Sequence, residues 1–217
     1  MNYADNKTIL KTFYDRLGLS SKFEKDNDYL EKAFKDINEI WLDNLDKIEK
    51  VKYLMIAEAP LWGQEKKYIY NPNTNNSQFF YRSDLGDILN RRIIDKPEFI
   101  KVCNEIGLLI VDISPFPLNP KNTSINYRNL TTIQYKQLVS LTIPTYFEEK
   151  IKIIGTKSSA NIKTFFRYTR VKNTFQDLIS QVLIDNKLIK TQNEILDISQ
   201  NGGGINKAKF GQIIKTK

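Results

Sequence analysis

The spacing of apolar residues divides the chain into segments of two kinds. Over residues 26–49, Leu30, Phe34, Ile37, Trp41, Leu45 and Ile48 recur at steps of three and four with charges between them. That is the repeat of an amphipathic helix, with Trp41 on its core face. Residues 5–17 follow the same rule. The period then changes. Val51-Lys52-Tyr53-Leu54-Met55-Ile56-Ala57 is a nearly continuous apolar run that stops at Glu58-Ala59-Pro60, as a strand buried on both faces does on entering a loop. Similar short runs recur at Leu108–Ile113, Lys150–Gly155 and Glu194–Ile198. Between them, helical patterning is expected at 82–92 with Ser83 as its cap, at 96–106 behind Pro97 and ended by Gly107, at 131–142 and at 175–189. A last helix carries Lys207, Lys209 and Lys215.

Strands alternating with helices predict an α/β fold, a three-layer α/β/α sandwich around a mostly parallel four-stranded sheet. The chain reads as one domain over 1–217, with N-terminal helices in 1–50 packed on an α/β core of 51–217. In such sheets ligands bind beyond the carboxyl ends of the strands. Four post-strand segments are therefore expected on one rim: Glu58-Ala59-Pro60, Asp112 with the proline-rich stretch 114–120, Thr156-Lys157-Ser158-Ser159, and Gln200-Asn201-Gly202-Gly203-Gly204. Residues 61–80, rich in Asn, Gln, Tyr and Phe, are longer than a simple connection, and long structured loops are usually functional.

Charge and composition narrow the chemistry. A net charge of +8 points to a polyanionic partner such as DNA or RNA. With no histidine and one cysteine, zinc binding and histidine-based acid/base catalysis drop out, and no cofactor is expected. The chemistry must use carboxylates, amides, hydroxyls, lysine or the backbone. Cys103 has no partner for an internal disulfide and reads as an inert buried thiol. The N-terminal stretch lacks a signal-type apolar core, and no run approaches the ~18 apolar residues of a membrane span. The expectation is a cytoplasmic monomer with no membrane partner.

Three stretches together resemble the uracil-DNA glycosylase superfamily. Ala57-Glu58-Ala59-Pro60-Leu61 matches the three central positions of a Gly-Glu-Ala-Pro-Gly motif that follows the first strand in one branch. Phe79-Phe80-Tyr81-Arg82-Ser83-Asp84-Leu85-Gly86 resembles that branch's aromatic and following helix start, and Gly107-Leu108-Leu109-Ile110-Val111-Asp112 resembles its Gly, four apolar residues, Asn. The order and spacing of these motifs carry the resemblance, which spans roughly residues 50 to 215. Three positions depart from the pattern. The family's catalytic His-Pro-Ser loop has Gln200-Asn201-Gly202 in its place, Ala59 stands where some branches carry a carboxylate, and Asp112 replaces the base-reading asparagine.

The last departure changes what the site would read. Asparagine offers an acceptor to uracil N3–H and a donor to O4, whereas an ionised aspartate has acceptors only. Cytosine presents an N3 acceptor beside an N4 amino donor, so a carboxylate accepts from N4–H, and a shared proton satisfies N3. Carboxylate lone pairs facing uracil O4 would leave buried acceptors unpaired at ~1–3 kcal/mol, enough to reverse a preference. Because removal of ordinary cytosine would destroy a host's own genome, the expected substrate is a modified cytosine of the kind some viral DNA carries, in anti-phage defence or DNA repair.

The resemblance implies a DNA glycosylase that flips a base and hydrolyses its N-glycosidic bond. That reaction needs stabilisation of charge on the departing base and a carboxylate near the oxocarbenium-like sugar. Glu58 or Glu65 is expected in the second role; Gln64 falls where one branch has its catalytic glutamate, with Glu65 one residue off. Asn201 is expected to donate to the base, Phe80 or Tyr81 to stack on it, and Ala59 with the backbone after the first strand to face it. Lys157, Ser158, Ser159, Lys207 and Lys209 are expected to hold phosphates. The alternative is a catalytically inactive DNA-binding protein that kept the fold.

Overall fold

The computed structural model describes residues 1–74, 81–200 and 205–215. Two helices come first, α1 (Tyr3–Arg16) and α2 (Ser20–Asp46). The side chain of Asn2 accepts the Ala4 N–H at the start of α1, and α2 buries the three-and-four stripe from Phe23 to Leu45. Strand β1 (Val51–Ala57) follows, then α3 (Tyr81–Leu89), α4 (Lys96–Ile106) and β2 (Leu108–Asp112). Asp95 caps α4 by accepting from Glu98 N–H, and Gly107 ends it at φ 77°. Ser83 is the third residue of α3 rather than the residue before its first turn.

The stretch between β2 and the next strand departs from the expected one. Helix α5 (Thr132–Thr142) opens on a reciprocal Thr131/Gln134 capping box, passes through a π-helical turn (Ile143–Phe147), and continues as α6 (Glu148–Lys157). Lys150–Gly155 is therefore helix, not strand. Tyr146, Phe147, Lys150, Ile151 and Ile154 point inward at helical spacing, while Glu148 and Glu149 ion-pair with Lys152 on the outer face at 3.1 and 2.9 Å. The π turn takes in Pro144, where a regular helix would lose a donor.

The third strand is β3 (Ser158–Phe166), followed by α7 (Thr169–Asp185), β4 (Ile195–Asp197) and α8 (Lys207–Lys215). The sheet is wholly parallel in the order β2-β1-β3-β4, with helices between its strands, so the three-layer α/β/α sandwich holds. Ser158 pairs with Val51, residues 159–162 bulge, and Lys163 then takes up Tyr53. Partners Ala57↔Asp112, Ile56↔Phe166 and Phe166↔Asp197 bring all four strands to one carboxyl rim. β1 leads on to β2 at one edge and β3 to β4 at the other, so the topological switch point lies between β1 and β3. One cluster of buried apolar side chains runs from Tyr3 to Ile214. Among the described residues no helix is long and apolar enough to cross a membrane.

Candidate functional site

Asp112, the last residue of β2, is 5% exposed and faces the rim. No hydrogen bond or ion pair reaches its carboxyl group among the described residues. It lines a cavity of about 50 Å³ with Ala57, Ala59, Pro60, Tyr68 and Tyr168. That space holds a water or two and falls well short of the roughly 300 Å³ of an ordinary ligand pocket. A base can enter only if the loop after β1 shifts; its outer residue Leu61, which also lines the cavity, is 61% exposed. The Tyr68 hydroxyl is buried and has no hydrogen-bond partner among the described residues.

Burial pushes the Asp112 carboxyl well above the usual carboxylate range; the Lys150 ammonium opposes this, and the Glu58 carboxylate adds to it. Lys150 is itself fully buried on the inner face of α6. Its amine donates to the Tyr146 hydroxyl at 2.7 Å and lies 4.4 Å from the ring centres of both Trp41 and Tyr146. Burial pulls the Lys150 ammonium below the ordinary lysine range, with Asp112 opposing.

Glu58 sits one residue beyond β1, beside the switch point. Its Oε1 is 3.6 Å from a guanidinium nitrogen of Arg170 in the first turn of α7. The Arg170 guanidinium stacks on Tyr135 at 4.2 Å, and Tyr135 packs edge-on against Tyr127 and Phe175. Tyr127 donates to Phe116 O at 2.8 Å and shares a short hydrogen bond with Ser114. Burial, reinforced by nearby Glu58, raises the Tyr127 and Tyr135 phenols, so both stay protonated. The rim thus joins a charged carboxylate–guanidinium pair to a buried carboxyl, walled by neutral phenols.

Of the residues expected from sequence, Glu58, Asp112 and Ala59 meet at this rim. Glu65 does not: Gly63 and Lys66 take positive φ, and the turn between them sends Glu65 outward, 70% exposed and ion-paired with Lys67 at 2.7 Å. Lys157, Ser158 and Ser159 are at the wrong end of the sheet, since Ser158 pairs with Val51, the first residue of β1. There Lys157 donates to Leu45 O and Asp46 O at 2.9 and 3.2 Å, closing the end of α2. Lys207 is engaged by Asp84 and Asp87 at 2.9 and 2.8 Å, tying α8 to α3. Lys209 lies on a separate cleft with Lys163 and Asp197. Tyr81 begins α3, while Phe80 and Asn201 lie outside the described residues.

Arg167, Tyr168 and Arg170 take the place on the rim that sequence reasoning gave to 156–159. Their signal is the apolar pair Phe165-Phe166 running straight into Arg-Tyr-Thr-Arg, and Arg167 is buried beneath the Tyr168 ring at 4.4 Å. A larger cavity, about 660 Å³, lies elsewhere, between the C-terminal half of α2, the length of α4 and the loop residues Tyr70 and Pro72. It contains none of these groups. Among the described residues no cluster of three or more metal-ligating side chains forms.

No protein-family model, curated protein or solved structure matches this chain.

Proposed function

We propose that the chain is a DNA base-excising hydrolase that reads a modified cytosine through Asp112. The observation that carries this reading is a carboxyl group at the carboxyl end of a sheet strand, buried beside a cavity and, among the described residues, without a hydrogen-bond donor. Burying such a group is costly unless a partner arrives. An exocyclic amine is such a partner, since it donates where a carbonyl cannot. Burial, which favours the protonated form of Asp112, adds a second capability, because the acid can donate to N3 of cytosine as the glycosidic bond lengthens.

Glu58 supplies the other half of the chemistry. Held by Arg170, its carboxylate stabilises the oxocarbenium-like sugar or orients the attacking water. Arg170, half-exposed at the head of α7, and the net charge of +8 favour a phosphodiester partner at this rim, whereas Lys172 is engaged by Asp197 at 2.9 Å.

The test is incubation of the purified protein with DNA containing 5-hydroxymethylcytosine, DNA containing uracil, and unmodified DNA, scoring abasic sites by alkaline cleavage. Abasic sites confined to the first substrate are expected. Abasic sites in uracil DNA alone would defeat the cytosine reading. Binding without cleavage would favour the inactive DNA-binding protein, a reading the small cavity also supports. Asp112→Asn separates these two readings: an enzyme changes base preference, whereas a binder keeps its affinity.

A further inference from the structure

Helices α2 and α4 touch through two asparagines that the base-excision reading does not use. Asn104 Nδ2 donates to Asn44 Oδ1 at 3.1 Å, and Asn44 is only 3% exposed. Two facing carboxamides can share a pair of hydrogen bonds, but these two share one. Asn44 Nδ2 and Asn104 Oδ1 are both buried, and neither has a partner among the described residues. Exchanging oxygen and nitrogen on both side chains would only swap which residue gives and which takes. A donor and an acceptor left idle on touching buried side chains are costly and call for a partner.

Both asparagines belong to the wall of the 660 Å³ cavity, against about 50 Å³ for the space beside Asp112. A volume of that order falls within the roughly 300–1,000 Å³ of small-molecule sites. Ile40, Tyr70, Pro72 and Ile100 give the cavity apolar walls suited to a ring. Its charged members are Asp43, Glu49 and Glu105 against Lys47 and Lys101, and Lys101 already faces Glu105 at 3.8 Å. Carboxylates therefore outnumber ammonium groups, and a phosphate or carboxylate ligand would meet repulsion.

We propose that this cavity binds an uncharged purine nucleoside, its ring between the apolar walls and its amide-type edge completing the Asn44–Asn104 pair. Such an edge sets a carbonyl acceptor beside an N–H donor, so it takes the Asn44 N–H and gives to the Asn104 oxygen. A fatty acid has no donor for that oxygen, and a free sugar would leave the apolar walls uncovered. A fused two-ring base covers more of those walls than a single ring does. Both spare amide atoms are closed to water, so the edge is admitted by a turn of the Asn104 amide, on the less buried of the two residues. The site is separate from the rim, since Glu58, Asp112 and Arg170 do not line it.

The experiment titrates the full chain with inosine and follows the side-chain amide signals of Asn44 and Asn104 by NMR in nitrogen-labelled protein. Each signal is assigned by its loss in Asn44→Leu or Asn104→Leu. Saturable shifts of both amides are expected with inosine. 1-Methylinosine, which lacks the N1–H donor, is expected to bind at least about tenfold more weakly, and Asn44→Leu to weaken inosine by a similar factor. Equal binding of the two nucleosides overturns the proposal, as does the absence of any shift at millimolar inosine. Shifts confined to residues of the rim would put the nucleoside beside Asp112 and overturn it too. Tighter binding of inosine 5′-monophosphate would overturn the assignment of an uncharged ligand. If Asn44→Leu does not fold, the comparison of inosine with 1-methylinosine on wild type decides alone.

Discussion

Glu58 Oε1 stands 3.6 Å from a guanidinium nitrogen of Arg170, so the loop leaving β1 and the first turn of α7 are joined by charge across the switch point of the sheet. The stacking of Arg170 on Tyr135 gives that contact a rigid floor. On the proposed base-excision reading, Arg170→Ala is expected to lower abasic-site formation by about a hundredfold, because a carboxylate displaced by an ångström would lose its hold on the reacting sugar. The pair is partly exposed, so its loss should cost under about 1 kcal/mol of stability in urea unfolding. Unchanged cleavage rates would deny Glu58 a catalytic role.

Lys157 closes the C-terminal end of α2 through two backbone carbonyls. Lys157→Met is expected to lower stability by about 1 kcal/mol and to leave DNA affinity and its salt dependence untouched. A salt slope reduced by about one unit would instead make Lys157 a phosphate contact.

Lys96, at the start of α4, donates to Tyr68 O and to Thr74 Oγ1 at 2.7 Å, and so pins the loop that carries Tyr68. Burial lowers its ammonium from the ordinary 10.5 to about 8. Between those two values the unfolded chain keeps a proton that the folded chain has released, so the Lys96 contribution becomes more favourable as pH rises through that window. The stability of wild type relative to Lys96→Met is therefore expected to increase from pH 7.5 to 10.5, as read from urea unfolding at a series of pH values. A pH-independent difference would show that the amine stays hydrated.

Gly107 and Gly18 offer a matched comparison. Both have positive φ, 77° and 68°, but a methyl group at Gly107 would meet the carbonyl oxygen of Lys50, while at Gly18 it meets nothing within 4 Å. Gly107→Ala is expected to cost over about 2 kcal/mol and Gly18→Ala about 1 kcal/mol in denaturant unfolding. Equal costs would mean that the junction between α4 and β2 has room to relax.

The parts of the fold that could be read from sequence are those where burial and periodicity agree. β1 and β2 are apolar because helices cover both faces, and α4 announces its end with Gly107. The third strand misled because two neighbouring segments exchange their expected character. Ile151, Ile153 and Ile154 are β-branched and precede a glycine, yet they belong to a helix whose true period is visible only when counted from Tyr146 across Pro144. β3 begins with Ser158, Ser159, Ala160 and Asn161, polar or small because that half of the strand is largely uncovered. Misplacing β3 displaced the expected phosphate-binding loop to the far end of the sheet. It also hid Arg170, which belongs to the helix after the true strand. Glu58 and Asp112 were legible because each ends a strand that was read correctly. Lys150 was not, since a lysine on a core face becomes apparent only once the helix is seen to bury it.

The π-helical turn at Ile143–Phe147 sets the rotational phase of everything after it. One residue of an α-helix accounts for about 100° of rotation. Were the same residues wound as a regular α-helix, without the wider turn, the following helix would start about one residue's rotation further round. Glu149 would then come toward the place Lys150 holds, and Lys150 toward that of Ile151. The width of one short, proline-containing turn therefore determines whether an ammonium or a carboxylate lies beneath the rim.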